Sequence, residues 1–247
     1  MKIVHAIWER RNLGMDAWEI VLERSDLNDI GKVMSKLADE RYAGAYVCVK
    51  VPMGNVAVIH TLEDAGFRFL EMQHLLIQSL QPAEMLSEAP TEMPCCETRQ
   101  VPKVREQWET VISQITPGMF DTDRFALDPA FGMEVSCRRY QNWCRDLYED
   151  ENTALFVTIC DGRQVAFSID RTKNGRTQGV LGGCFAPYKN IGLGGGWMAA
   201  GAPHEMRKRR TVVSSNNLPV LRLHQCCGMT IFNEFYVLRK IYERKVV

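Results

Sequence analysis

The chain has 247 residues, of which 46% are hydrophobic and 24% are charged, and its 30 Lys and Arg residues balance 30 Asp and Glu residues. This length allows one large or two small domains with a real core, and the composition excludes a disordered or fibrous protein. The neutral balance disfavours nucleic acid as the main partner, because phosphate neutralisation needs a basic surplus, and no apolar run approaches the ~20 residues that cross a bilayer.

Short strands and amphipathic helices alternate through residues 1–80, which we expect to form a small N-terminal α/β domain. Period-two hydrophobicity predicts strands, apolar residues spaced i, i+3, i+4 and i+7 predict helices, and glycine is typical of helix ends. The predicted elements are strands at Ile3–Trp8 and Ala17–Glu23, a helix within Leu27–Arg41, a strand at 45–51, a helix over Asn55–Ala65 and a strand over Phe67–Leu80.

Residues 81–100 contain three prolines and no hydrophobic period, which predicts a linker before a second domain at 101–247. The second domain is predicted to begin with two helices, continue with an antiparallel meander and end with a strand, a helix and a last strand. The predicted elements are helices at Val104–Ile115 and Met133–Tyr148, strands at Ala154–Cys160, Gln164–Asp170 and Gln178–Ala186, a strand at 210–215, a helix over Leu218–Cys227 and a strand or hairpin over Met229–Tyr242.

The nine cysteines do not have the pattern of a disulfide framework, and the early charges at the N-terminus do not fit a signal peptide. We therefore expect reduced thiols in the cytoplasm. The adjacent pairs Cys95–Cys96 and Cys226–Cys227 lack the C-x2-4-C spacing with which two sulfurs reach one zinc ion, so no metal is predicted.

Two helices share a pattern: Asn55 and Asn217 each precede a helix, and a glycine followed by a strand-forming run comes eleven positions later. Common ancestry of the two halves is one explanation. Independent selection of good helix caps is the other, and the pattern alone does not decide between them.

A glycine-rich turn, KNIGLGGG at residues 189–196, leads into a predicted helix. Such a turn offers backbone N–H groups and a helix N-terminus to a pyrophosphate. A Rossmann site is disfavoured, because a meander precedes the turn and no ribose-binding acid lies where that site requires one.

This turn resembles the Gln/Arg-x-x-Gly-x-Gly/Ala loop of the GNAT acyltransferases, with Lys189 as a departure in the first position, and SSNNLPVLRLHQCCGM and NEFYVLRK are similar to the elements that follow it there. Within that superfamily, WERRNLGMDAWEIVL, LEDAGFRFLE and DRFALDPAF...YQNW resemble TDP-fucosamine acetyltransferases. The resemblance implies an α/β (α+β) GNAT fold. The sheet is then expected to be mixed, mostly antiparallel, flanked by helices and open near Gly183–Tyr188, and the N-terminal domain is a candidate for a smaller, degenerate GNAT-like half.

The resemblance also implies acetyl-CoA or another acyl-CoA as cosubstrate and the amine of a nucleotide-linked sugar as acceptor, which attacks the thioester directly. A backbone N–H within residues 184–186 would bind the oxyanion. The residues expected to contact the cofactor are Cys184, Phe185, Ala186, Lys189, Asn190, Ile191, Gly192, Leu193, Gly194, Gly195 and Asn217.

The family's catalytic acid is a Tyr seven residues after the helix-leading Asn, a position that His224 occupies here. A protonated His could serve as that acid, although a single His on a helix is more often an ordinary surface or core residue. Tyr188 is the second candidate. Asp123 and Arg124, in the loop that by analogy covers the acceptor site, are candidate substrate contacts.

Other readings stay open. The acceptor could be an amino acid, a polyamine or a protein N-terminus, and without the family's Tyr the chain could instead bind acyl-CoA without turning it over. The expected partner is a small-molecule amine and not a nucleic acid or a membrane, and a homodimer is compatible with the sequence.

Overall fold

The computed structural model describes residues 1–79, 96–174, 176–189, 208–226 and 228–244, which form ten β-strands and seven α-helices. The strands are β1 (Lys2–His5), β2 (Ala17–Val21), β3 (Tyr46–Pro52), β4 (Arg68–Ser79), β5 (Cys96–Val101), β6 (Thr153–Cys160), β7 (Arg163–Lys173), β8 (Arg176–Cys184), β9 (Lys208–Ser214) and β10 (Thr230–Ile241). The helices are α1 (Arg10–Leu13), α2 (Ile30–Leu37), α3 (Val56–Asp64), α4 (Arg105–Ile112), α5 (Arg124–Leu127), α6 (Met133–Glu149) and α7 (Leu218–Cys226).

Most predicted elements are confirmed within a few residues. One exception is the helix predicted within Leu27–Arg41, which is split into a 3-10 turn and α2. The helix starts anew at α2 because the side chain of Asp29 accepts a hydrogen bond from Lys32 N–H at 3.0 Å and so caps it. Residues 96–100 of the predicted linker instead form β5, which pairs with β6. The glycine-rich turn after Lys189 and the helix predicted behind it lie outside the described residues.

All ten strands form one sheet in the order β1-β2-β3-β10-β4-β9-β8-β7-β6-β5. The last strand of the chain therefore lies between β3 and β4, and the two halves share one continuous sheet. Pairing is antiparallel except at β2–β3 and β8–β9, which are parallel. This mixed, mostly antiparallel sheet with flanking helices confirms the predicted fold class.

The two β-α-β units at the centre of the sheet are related by a sequence offset of 162 residues. β3, α3 and β4 begin at residues 46, 56 and 68, and β9, α7 and β10 begin at 208, 218 and 230. The same offset relates the strand pairing. Phe235 lies opposite Pro52, and their equivalents in the other unit, Gln73 and Ser214, lie opposite each other. Gln73 pairs with Phe235, its own equivalent, so a pseudo-two-fold axis passes between β4 and β10. Each unit inserts its last strand beside the first strand of the other, so the likeness of the two halves extends from the helices at Asn55 and Asn217 to the strands and their pairing.

Five apolar clusters lie on the sheet in the described residues, and three of them define its layers. The N-terminal cluster packs α2 and α3 on the strands, and the C-terminal cluster packs α4 and α6 on β6–β8. A third cluster joins the halves, because Phe125 of α5 packs with Tyr46, Cys48 and Val237 from the N-terminal side of the sheet. The polar face of α6 is also tied to the N-terminal half, with Arg138 Nη2 donating to Asn12 O at 2.6 Å.

The expectation of reduced cysteines is wrong for one pair. Cys96 and Cys160 lie directly opposite each other on β5 and β6 and form a disulfide, which no sequence spacing revealed because only the strand register brings them together. Cys48, Cys137, Cys144, Cys184 and Cys226 are free. No helix in the described ranges is long and apolar enough to cross a membrane.

Candidate active site

A slot opens in the sheet between the parallel strands β8 and β9. Only Thr177–Arg209 and Gln178–Arg210 are paired, whereas the equivalent strands of the N-terminal half, β2 and β3, stay paired over five residues. A bulge in the β7–β8 pairing at Val180 turns β8 away at this point. The slot therefore begins at Gly179, a few residues before the predicted opening near Gly183–Tyr188.

The walls of the slot are small or apolar on the strands and polar on the helix. On the strands, the slot is lined by Gly179 and Gly182 of β8 and by Val212 of β9. Asn217 and His224 line it from the side of α7. A Cβ at position 182 would lie 3.0 Å from Phe167 O, so only glycine fits there without moving backbone.

Backbone donors face the slot from β8. Phe185 N–H donates to Val165 O at 2.9 Å, and in an antiparallel pair the N–H groups alternate between the two sides of a strand. The N–H groups of Gly182 and Cys184 therefore point away from β7 and toward the gap. A thioester carbonyl lying in the slot would meet donors of the kind that stabilise an oxyanion.

His224 and Asn217, predicted from the sequence, both line the slot. Asn217 immediately precedes α7, with its Oδ1 accepting from Val220 N–H at 3.3 Å, and His224 is 8% exposed on the inner face of the helix. The 162-residue offset matches His224 to Leu62, which is fully buried. The imidazole thus occupies a core position of the repeat, but in the half whose sheet is open.

The side chains of the other predicted contacts in the described residues lie outside the cavity. Phe185 is buried in the C-terminal core, Cys184 packs against Ala166, and burial raises the pKa of the Cys184 thiol. Tyr188 packs partly buried against the same clusters. Lys189 Nζ donates to Gly118 O at 2.9 Å and lies 2.7 Å from an Asp121 carboxylate oxygen. Asn190, Ile191, Gly192, Leu193, Gly194 and Gly195 lie outside the described residues, so their contacts stay predictions.

The slot opens into a trough between the sheet and α6, and the two together form a cavity of about 510 Å³. Four aromatic side chains form one side of the trough: Trp8, Phe120, Tyr140 and Trp143. Phe120 and Tyr140 are stacked with ring centroids 3.8 Å apart. At the mouth, Trp8 is 44% exposed, so an aromatic surface meets solvent where a substrate would enter.

Ion pairs also line the trough and come from both halves of the chain. Arg124 Nη2 lies 3.0 Å from Glu19 Oε1, and Arg139 Nε lies 2.7 Å from Glu9 Oε1. Burial by itself would raise the pKa of Glu19, but the positive charges of Arg124 and Lys50 hold that pKa at about 2. Glu19 is therefore an anion at any physiological pH, and the trough is lined by fixed charges.

Asp123 and Arg124, the predicted substrate contacts, both line the trough, and both have structural partners. Asp123 accepts from Phe125 N–H, Ser136 Oγ and Tyr140 Oη at 3.0–3.1 Å. Burial and the charge of Asp123 raise the pKa of Tyr140 well above its ordinary value. Asp123 therefore has a structural role, because its hydrogen bond to Tyr140 fixes an aromatic side chain of the trough, whether or not it also contacts a substrate.

Sequence reasoning missed the contribution of the N-terminal half. Glu9, Glu19, Lys50, Glu71 and Gln73 all line the trough, although the chain separates them from the predicted slot by more than a hundred residues. One signal was present: Glu71 is an ionisable residue within a predicted strand, and burying an ionisable group in a sheet is costly unless it has a partner. Within the described part of the chain, no group of three or more His, Cys, Asp or Glu side chains could hold a metal ion.

No protein-family model matches the sequence, and no curated protein resembles it significantly. Solved structures resemble the fold. A GCN5-related N-acetyltransferase from Sphaerobacter thermophilus superposes with a TM-score of 0.62 at 15% identity, over 100% of this chain and 78% of that one. A conserved protein of unknown function from Staphylococcus epidermidis gives 0.59 at 13%, over 94% and 88%.

A GCN5-related N-acetyltransferase from Kribbella flavida gives a TM-score of 0.52 at 14% identity, over 91% of this chain and 81% of that one. Identities this low establish the architecture only. The chain has the fold of the GCN5-related N-acetyltransferases, built as two strand-exchanged halves of which only the second has an open sheet.

Proposed function

We propose that the protein is an acyl-CoA-dependent N-acyltransferase whose acyl donor occupies the slot between β8 and β9. The observation that carries the proposal is the junction of two unlike spaces, an apolar slot with backbone donors and a charged trough with an aromatic side. A thioester arm fits the first and a polar amine fits the second. Acetyl-CoA is the donor we favour, in line with the predicted phosphate-binding turn at residues 189–196.

The reaction is a direct transfer. The free amine attacks the thioester carbon, the new C–N bond forms, the C–S bond breaks and the electron pair leaves on sulfur. The backbone N–H groups of Gly182 and Cys184 are placed to stabilise the oxyanion of the tetrahedral intermediate. The amine loses one proton and the thiolate gains one, so the chain has to supply an acid beside the departing sulfur.

His224 is our candidate for that acid. It lines the slot from α7, is nearly buried, and stands where the family's Tyr is expected. An imidazolium can donate a proton near neutral pH. Tyr188, which lies outside the cavity, is the weaker candidate.

The acceptor we favour is the amine of a nucleotide-linked amino sugar. Aromatic rings together with carboxylate and guanidinium groups suit a sugar, whose C–H faces stack and whose hydroxyl groups need donors and acceptors. An amino acid suits the same charges, and it is the alternative acceptor. We place the activity in the cytoplasm, with a small-molecule amine as partner.

Calorimetric titration with acetyl-CoA tests the donor site. Val212 is 49% exposed in the slot, and we expect Val212→Trp to fill the slot and abolish binding that the wild type shows. Val56→Trp, the same change at a residue 51% exposed outside the cavity, is the matched control. The Gly192→Asp, Gly194→Asp double variant tests the predicted turn.

Absence of binding by the wild type to acetyl-CoA or longer acyl-CoA would contradict the proposal. Binding without release of free CoA in the presence of amines would favour a non-catalytic acyl-CoA-binding protein. Mass spectrometry of the products separates these outcomes without interference from the protein's own thiols.

A further inference from the structure

Three residues lie side by side at the inner end of the trough, on strands that come from both halves. The register pairs Val237 of β10 with Lys50 of β3 on one side and with Glu71 of β4 on the other. Directly paired residues share a face of the sheet, so the charged side chains of Lys50 and Glu71 project into the trough on either side of Val237. With strands about 4.8 Å apart, their Cα atoms are separated by about 10 Å.

Glu71 is a buried carboxylate whose charge interacts with that of Arg124 only at a distance longer than that of an ion pair. It is 3% exposed, and its Oε1 accepts from Gln73 Nε2 at 2.9 Å. Among residues 1–79 and the other described ranges it makes no ion pair. A buried carboxylate that receives only a neutral hydrogen bond is costly unless a cation comes to it.

Lys50 is a cation that keeps unused hydrogen-bond donors. Its Nζ lies 3.8 Å from Glu19 Oε2, beyond hydrogen-bonding distance, and the other oxygen of Glu19 is already paired with Arg124 at 3.0 Å. An ammonium group has three donors, so Lys50 keeps donor capacity that faces the trough. Glu19 is shared between Arg124, in direct contact, and Lys50, at 3.8 Å. In the described residues, Lys50 and Glu71 therefore remain as a separated pair of opposite charges, neither with an ion-pair partner within hydrogen-bonding distance.

We propose that this pair binds the acceptor as a dipolar molecule, with an anionic group facing Lys50 and the cationic amine facing Glu71. This inference rests on the proposed acyltransferase function and adds the charge pattern of its acceptor. Glu71 lies on β4, the strand next to β9 and the slot, whereas Lys50 lies two strands further away. The amine therefore points toward the acyl donor and the anion points away from it.

Two kinds of acceptor carry this chemistry. An α-amino acid has a carboxylate beside its amine, and a nucleotide-linked amino sugar has a phosphate further from it. Both can be titrated calorimetrically in the absence of acyl-CoA, so the test does not depend on turnover. The probes are the L-α-amino acids with their methyl esters, and a TDP-linked 4-amino-6-deoxy sugar with its free amino sugar and its 4-hydroxy counterpart.

We expect one of the two probe sets to bind, and to bind more tightly than its analogue without the anion. Lys50→Met is expected to weaken the dipolar probe about 10- to 100-fold and to leave the ester or free sugar unchanged, because a hydrogen bond to a charged group is lost. Glu71→Gln is expected to weaken the amine-bearing probe by a similar factor and to leave the 4-hydroxy counterpart unchanged. Lys32→Met and Glu106→Gln, at exposed positions, are the matched controls.

Circular dichroism checks that each variant is folded, and Lys50→Arg, which keeps the charge, should retain most of the binding if the anion is recognised there. Equal binding of the dipolar probes and their analogues would overturn the inference, and so would undiminished binding by Lys50→Met or no binding of any probe. Failure of the acyltransferase proposal is seen separately, as loss of acetyl-CoA binding by an otherwise probe-binding protein.

Discussion

His224 and Leu62 occupy equivalent positions in the two β-α-β units. Comparing them shows whether packing alone accounts for the residue at this position. Both face inward from their helices, Leu62 fully buried and His224 8% exposed. A repeat that needed only packing would keep an apolar residue in both places. The imidazole stands in the half whose strands part to form the slot.

We predict that His224→Gln lowers kcat about 100-fold, the ordinary contribution of a general acid, and leaves the Kd of acetyl-CoA unchanged. His60→Gln, at an exposed position on α3, is the control. The measurement is steady-state turnover beside calorimetric binding, with whichever amine proves to be a substrate. A parallel loss of acetyl-CoA affinity would instead assign His224 to packing of the slot.

Glu19, which lines the trough, makes the stability of the fold depend on pH. Its pKa is lowered from 4.5 to about 2 because Arg124 and Lys50 outweigh the effect of burial. A carboxyl group with a lowered pKa contributes stability that is complete above its unfolded pKa and is lost as pH falls toward the folded pKa. The shift corresponds to about 3 kcal/mol.

We therefore predict that unfolding free energy falls between about pH 5 and pH 2, and that Glu19→Gln is less stable at neutral pH but loses less on acidification. Urea denaturation at a series of pH values measures this. Glu134→Gln, at an exposed position, should follow the wild-type curve. An acid dependence unaltered by Glu19→Gln would show that other carboxyl groups dominate.

At the scale of elements, the segment between α5 and α6 is attached to the exchanged strand. Asp128, whose side chain is 1% exposed, accepts from Arg239 Nε at 2.7 Å and from Arg239 Nη2 at 2.5 Å. Arg239 lies on β10, so this bidentate pair fixes the C-terminal end of α5, the helix that carries Arg124. The sequence showed Asp128 only as one acid in a loop, because its partner lies 111 residues away.

We predict that Asp128→Asn lowers the unfolding free energy by about 3 kcal/mol, since one charge of a buried pair is left uncompensated. Asp64→Asn, at an exposed position on α3, is the control. Because the loop also positions the trough, the variant should bind the acceptor more weakly while the slot, on the other strands, still binds acetyl-CoA. A loss below about 1 kcal/mol would mean that the pair is not isolated from water.

At the scale of the whole molecule, local patterns predicted most strands and helices, because hydrophobic period and helix caps are properties of neighbouring residues. The pattern shared by Asn55 and Asn217 was compatible with a repeat and with independent helix caps. Strand order was out of reach, since nothing near Thr230–Ile241 says that this strand inserts between β3 and β4. The slot residues on α7 were found by motif, whereas Lys50 and Glu71 were missed because a trough that spans two halves leaves no continuous motif.

The exchange of last strands makes each half incomplete without the other. β10 supplies Val237 and Leu238, both fully buried, to the N-terminal side of the sheet, and β4 supplies the edge on which β9 pairs. Without β10, the inner edges of β3 and β4 would be exposed, and unpaired strand edges are unstable and prone to aggregate.

We therefore predict that the protein unfolds in one cooperative calorimetric transition. We also predict that fragments 1–79 and 96–247 are each unfolded or aggregated alone but form a folded one-to-one complex when co-expressed. Two separate transitions, or a stably folded 1–79 fragment, would show that the halves are independent domains joined by their linker and that the shared sheet adds little to their stability.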